Sequence, residues 1–159
     1  MRGTLEDYAT AVKHVLAVNR DAEQGFRGAA SAARDSELRE AFEQYSLLHH
    51  RCANELQEAV KAFGFEPAYP SGVGGMIYAG WIELKAALDG HDSHSILVEA
   101  ERCGEWCVNG YREALATNLP VGIRSVLAGQ YEAVEAAHQE VLVRRDRMAE
   151  KASLPKTKG

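Results

Sequence analysis

Apolar residues recur along this chain at steps of three and four, and no long stretch alternates with period two. The helical period therefore governs the reading. A first helix is expected from about Leu5 to Ala33. Its stripe is Leu5, Tyr8, Val12, Leu16, Asn19, Ala22/Glu23, Phe26 and Ala30. Thr4 stands where it can cap this helix, with Asp7 at the capping-box position. Asn19 and Glu23 fall inside the apolar stripe, which is unusual. Asp35-Ser36 makes a short break and a new N-cap. The second helix is expected to run to Phe63, with the stripe Leu38, Phe42, Tyr45, His49, Cys52, Leu56, Ala59 and Phe63. Gly64 suits the C′ position. A junction this short makes the two helices antiparallel.

The pattern then changes. Pro67, Pro70, Gly72, Gly74 and Gly75 mark residues 64–75 as a loop. A short helix is expected from about Met76 to Leu88, amphipathic through Ile77, Trp81, Leu84 and Leu88, ending at Gly90. Asp92 or Ser93 caps a third long helix, to about Ala116. Asn118-Leu119-Pro120 starts a fourth, to about Ala149, with the stripe Ile123, Leu127, Tyr131, Val134, His138, Val141 and Met148. The two hairpins echo one another weakly: Leu38 to Tyr45 resembles Ile123 to Tyr131. The connection over residues 64–92 is long enough to cross a bundle from end to end. One long crossover between two hairpins is the ferritin-like arrangement, rather than a simple up-down-up-down bundle. The expected fold is thus an all-α, ferritin-like four-helix bundle, with a short helix in the crossover between helices 2 and 3. One domain covers residues 1–150, and residues 151–159 form a flexible tail.

Length and charge narrow the function classes. The 159 residues fit one domain that builds its core without disulfides. The net charge is −5 with mixed signs, and no concentrated basic face suits a nucleic acid. The basic residues Arg144, Arg145 and Arg147 fit a solvated helix end. No apolar run approaches the roughly 20 residues that span a bilayer. The segment after Met1 is polar, unlike a signal peptide. Cys52, Cys103 and Cys107 are an odd set without a CxxC spacing. They read as core residues of a cytoplasmic protein. No phosphate loop and no nucleophile elbow is present.

Several segments, taken in order, resemble a known family. They are Glu23-Gln24-Gly25-Phe26-Arg27-Gly28-Ala29-Ala30, Asn54-Glu55-Leu56, Phe63-Gly64-Phe65-Glu66-Pro67 and Gly80-Trp81-Ile82-Glu83-Leu84-Lys85. The longest is Glu99-Ala100-Glu101-Arg102-Cys103-Gly104-Glu105, followed by Tyr111-Arg112-Glu113-Ala114-Leu115, His138 and Arg145-Asp146. The chain resembles an uncharacterised bacterial group of ferritin-like four-helix-bundle domains of unknown function. The resemblance implies the fold and no established reaction.

Ferritin-like carboxylate proteins hold two iron or manganese ions between a Glu from each of two helices and a Glu-x-x-His from each of the others. Residues three apart on a helix share a face, so such a pair converges on one ion. Here Glu135-Ala136-Ala137-His138 supplies one such motif, Glu105 the third-helix carboxylate, and Glu23 a first-helix carboxylate. The second helix lacks Glu-x-x-His and offers His49, with His50 beside it and Glu55 further on. The candidate metal ligands are therefore Glu23, His49, Glu105, Glu135 and His138. The competing reading is a structural polar network, with Glu23 paired to an Arg or His across the bundle.

Two functions follow. One is a non-catalytic association module, a homodimer or other homo-oligomer, without nucleic-acid or membrane partners. The other is an iron- or manganese-binding oxidoreductase or metal-storage protein with an incomplete carboxylate/histidine site.

Overall fold

The computed structural model describes residues 5–62, 64 and 93–153. They form four α-helices: α1 (Leu5–Ala32), α2 (Ser36–Lys61), α3 (Ser93–Leu115) and α4 (Val121–Ser153). The Thr4 cap, the Met76–Leu88 helix with Trp81, and residues 154–159 lie outside the described residues.

Local chemistry explains the boundaries. Asp35 caps α2: its Oδ1 accepts from the backbone N–H of Glu37 at 2.8 Å and of Leu38 at 3.2 Å. Helix α2 stops at Lys61 with Ala62 as its C-cap, two residues before the expected Phe63. Gly64, at φ 76°, takes the left-handed conformation that side chains resist. Helix α4 runs four residues past the expected Ala149. No Gly or Pro intervenes before Pro155, and Arg144–Glu140 adds an i,i+4 ion pair at 3.0 Å.

The weak echo between the hairpins has a physical counterpart. Arg39 follows Leu38 and donates from Nη2 to the Ala33 carbonyl at 2.8 Å. Arg124 follows Ile123 and donates to the carbonyls of Leu115 at 2.8 Å and Thr117 at 2.6 Å. In each hairpin an arginine in the first turn of the second helix reaches back to the carbonyl end of the first. Those carbonyls lie at or just past the helix ends, where intrahelical donors run out.

Helix α1 packs on α2 and α3, and α4 packs on α3 and α2, so the helices stand at the corners of a square. Cross-helix contacts fix the directions. Asn19 meets His49 and Phe26 meets Phe42, so α1 and α2 are antiparallel. Cys52 meets Gln130 and Tyr45 lies beside Glu140, so α2 and α4 are antiparallel. Tyr111 meets Gln130 and Glu101 meets Arg145, so α3 and α4 are antiparallel. Helices α2 and α3, successive in the chain, therefore run the same way. Ala62 and Ser93 stand at opposite ends of the bundle.

The core holds the expected stripes: Val12, Leu16 and Phe26 of α1, Leu38, Phe42 and Leu56 of α2, and Ile123, Leu127 and Val134 of α4. Helix α3 adds Ile96, Leu97, Val108 and Tyr111. The cysteines are buried free thiols, as expected of core residues. No described helix is long and apolar enough to cross a membrane.

Candidate functional site

Four buried polar side chains, one from each helix, meet at mid-bundle. Asn19 of α1 and Tyr111 of α3 are fully buried, and His49 and Gln130 are almost so. Two backbone carbonyls, which only accept, fix the direction of every bond. The Val15 carbonyl accepts from Asn19 Nδ2 at 2.9 Å, and the Cys52 carbonyl accepts from Gln130 Nε2 at 3.0 Å. Asn19 Nδ2 then donates its second hydrogen to Tyr111 Oη at 2.8 Å, and Tyr111 donates to Gln130 Oε1 at 2.8 Å. Gln130 Nε2 gives its remaining hydrogen to Glu55 Oε1 at 3.0 Å. The Asn19 oxygen is left to accept from His49 Nδ1 at 2.8 Å. His49 is thereby set as the Nδ1–H tautomer, with Nε2 bare.

Burial decides the charges of this layer. It pulls His49 down from 6.5 to about 4, so the imidazole is neutral near pH 7. It raises the Tyr111 hydroxyl far above its usual range and pushes Cys52 up to about 11. Cys107 is raised by its hydrogen bond with Cys103 and then by burial. Thiols held protonated in this way are poor nucleophiles and poor metal ligands.

The five sequence-derived candidates separate among different neighbours. Glu23 is almost buried, with its carboxylate 2.8 Å from His50 Nδ1, 3.0 Å from Arg27 and 3.4 Å from Arg20. Its cross-helix histidine is thus His50. His49 belongs to the Asn19 layer. Glu135 is half-buried, 3.8 Å from Arg112. Glu105 is exposed on α3. His138 lies half-buried within the fields of Glu101, Glu105 and Glu135, which raise its basicity less than burial lowers it. Glu101 is in turn ion-paired to Arg145. Among the described residues, no group of three or more His, Cys, Asp or Glu is placed to hold one metal ion. Glu23 and Glu135 each face an arginine.

Gly104 and His138 fit closely. A Cβ at Gly104 would lie 2.5 Å from His138 Nδ1, so glycine is what lets the ring seat against α3. The nitrogen there is buried and has no hydrogen-bond partner among the described residues. It borders a small cavity of about 10 Å³ lined also by Phe26, Tyr45, His49, Val134 and Val141. Phe26 stacks on His49 with ring centroids 5.6 Å apart. The Tyr45 hydroxyl is buried and lies toward Glu140 and Arg144. Desolvation, and then the Glu140 charge, push it up to about 12.

Two members of the layer escaped the sequence reading. Gln130 sits three residues after Leu127 and four before Val134, a spacing that fits the buried face as well as that of Tyr131, the residue in the expected stripe. Tyr111 entered as part of a motif; its burial carried no separate polar signal.

The molecule is thus an all-α four-helix bundle with a closed hydrogen-bond layer through its core. A family model described as a domain of unknown function (DUF2383) matches residues 7–117, and the chain belongs to that family. The match includes Asn19, His49, Gly104 and Tyr111 and ends before α4, with Gln130 and His138. Among curated proteins, none matches the chain.

Proposed function

We propose that this protein is a ferritin-like helical bundle that acts by association, as a homo-oligomer, and not by catalysis. The supporting observation is the closure of the polar layer. The amide, hydroxyl and Nδ1–H hydrogens of Asn19, Tyr111, Gln130 and His49 are all used within it. A layer saturated in this way offers a substrate no donor. The parallel course of α2 and α3, with their joined ends at opposite poles, supports the ferritin-like topology with one long crossover. Long helical faces suit two-fold pairing, the commonest closed symmetry. The acidic balance argues for partners other than nucleic acid, and the buried free thiols fit a reducing, cytoplasmic setting.

Sedimentation across a wide concentration range tests the proposal. A defined dimer or larger closed species is expected, and a monomer at every concentration overturns it. Elemental analysis after aerobic purification without chelators tests the alternative. Near-stoichiometric iron or manganese, lost in a Glu105→Ala/His138→Ala double variant, would replace association with a metal-dependent oxidoreductase or storage role. Glu105, Glu135 and His138 are the group for that alternative, since both carboxylates act electrostatically on the imidazole.

A further inference from the structure

The closed layer leaves one nitrogen over, and the Gly104 notch leaves another. With Nδ1–H committed to Asn19, His49 retains only a bare, accepting Nε2. His138 carries its Nδ1 inward, buried and unpartnered, while its ring is half exposed on the other side. Glu101, Glu105 and Glu135 act on the imidazole electrostatically, and Glu101 and Glu135 are themselves half-buried at the rim. A buried Nδ1 with no acceptor beside it leaves the proton of the neutral ring to the more exposed Nε2, so Nδ1 is also an acceptor. Both rings line the same small cavity, together with the ring of Tyr45.

We propose that this cavity is a binding site for a single water molecule, which donates one hydrogen to His138 Nδ1 and the other to His49 Nε2. The room fits: about 10 Å³ is close to the minimum that holds one water, and such a water needs two or more polar partners. The chemistry fits as well. Two imine-type nitrogens cannot hydrogen-bond each other, and a molecule with two donor hydrogens satisfies both. A metal ion suits the place less well, because among the described residues no third His, Cys, Asp or Glu joins them. The water extends the polar layer from the Asn19 level to the Gly104 level and ties α2 to α4 a second time, two turns beyond Gln130.

Solution NMR of the full-length, nitrogen-labelled protein at neutral pH tests this. Long-range proton–nitrogen spectra are expected to show His49 protonated on Nδ1 and His138 protonated on Nε2. Ring protons of both are expected to show cross-relaxation with one long-lived water. Val134→Ile, which adds a methylene to the cavity wall, is expected to abolish that water signal for both rings while the helical fold is kept. Val141→Ile serves in its place where the first variant fails to fold. A folded wild-type protein without the water signal overturns the proposal, as does a His138 protonated on Nδ1. A wild-type protein that shows no such water and instead binds one equivalent of zinc, with both rings shifted, also overturns it and makes the cavity a metal site.

Discussion

Two polar places share one core and are built on opposite terms. In the Asn19 layer each buried hydrogen has an acceptor within the protein, and each helix supplies a member. At the Gly104–His138 notch, two turns along α4, a buried nitrogen meets no partner among the described residues. The first arrangement reads as architecture, since a complete hydrogen-bond set stabilises one packing and offers nothing outward. The second reads as a receptor, because a buried acceptor without a partner costs about 1–3 kcal/mol unless something arrives to satisfy it.

The difference can be broken most forcefully from the closed side. Asn19→Ala strands the His49 Nδ1–H and leaves Tyr111 without its donor. Chemical denaturation is expected to show a loss of about 3–5 kcal/mol, from two orphaned buried groups and a small cavity. A loss below about 1 kcal/mol would mean that the layer is not closed as described.

Acid acts on the same side. His49 falls from 6.5 to about 4 on folding, so the unfolded chain takes up its proton first as pH drops. Stability held in full above pH 6.5 is therefore lost progressively between about 6.5 and 4. It amounts to on the order of 3 kcal/mol for such a displacement. His138, also lowered, adds in the same direction. Thermal melts across that range check the slope, and His49→Gln is expected to flatten most of it.

The notch gives a smaller response of another kind. Gly104→Ala places a methyl against His138 and is expected to cost about 1–2 kcal/mol by forcing the ring outward. The same substitution in a His138→Ala background should cost much less, which a double-mutant cycle measures. Full additivity would show that the ring does not sit in the notch.

Smallest are the groups outside both places. Glu23→Gln, which weakens contacts with partly exposed Arg20, Arg27 and His50, is expected to cost about 1 kcal/mol or less. Asp35→Ala, which removes the α2 cap, is expected to cost about 1 kcal/mol. Urea titration of each separates these effects from the core losses.

The sequence carried the helices well because each is announced by local chemistry: Asp35 as a cap, a period of three and four, and Gly64 just past a helix end. It also flagged Asn19 and Glu23 as polar intruders in an apolar stripe, and both are buried. Their partners were less legible. Two adjacent histidines on α2 divide their work, His49 turning to Asn19 and His50 to Glu23. That division depends on about 100° of rotation per residue and on the packing angle of α1. Gln130 looked like any glutamine on a mixed helix, and its role emerged only once α3 brought Tyr111 beside it. Glu135-x-x-His138 made a half-motif in sequence, but Arg112 lies across α3 from it, and no spacing rule along α4 reveals that cation.

The Asn19 layer also settles how the two hairpins find their mutual alignment. Asn19 and His49 belong to one hairpin, Tyr111 and Gln130 to the other, and the bonds Asn19–Tyr111 and Gln130–Cys52 cross between them. Apolar faces alone tolerate sliding, since one leucine packs much like the next. A slip of one helical turn, about 5.4 Å, would break these crossings together, with the Gln130–Glu55 bond, and leave buried polar groups unpaired. The layer is thus a register mark cut into an otherwise slippery seam, readable at a single height along the bundle.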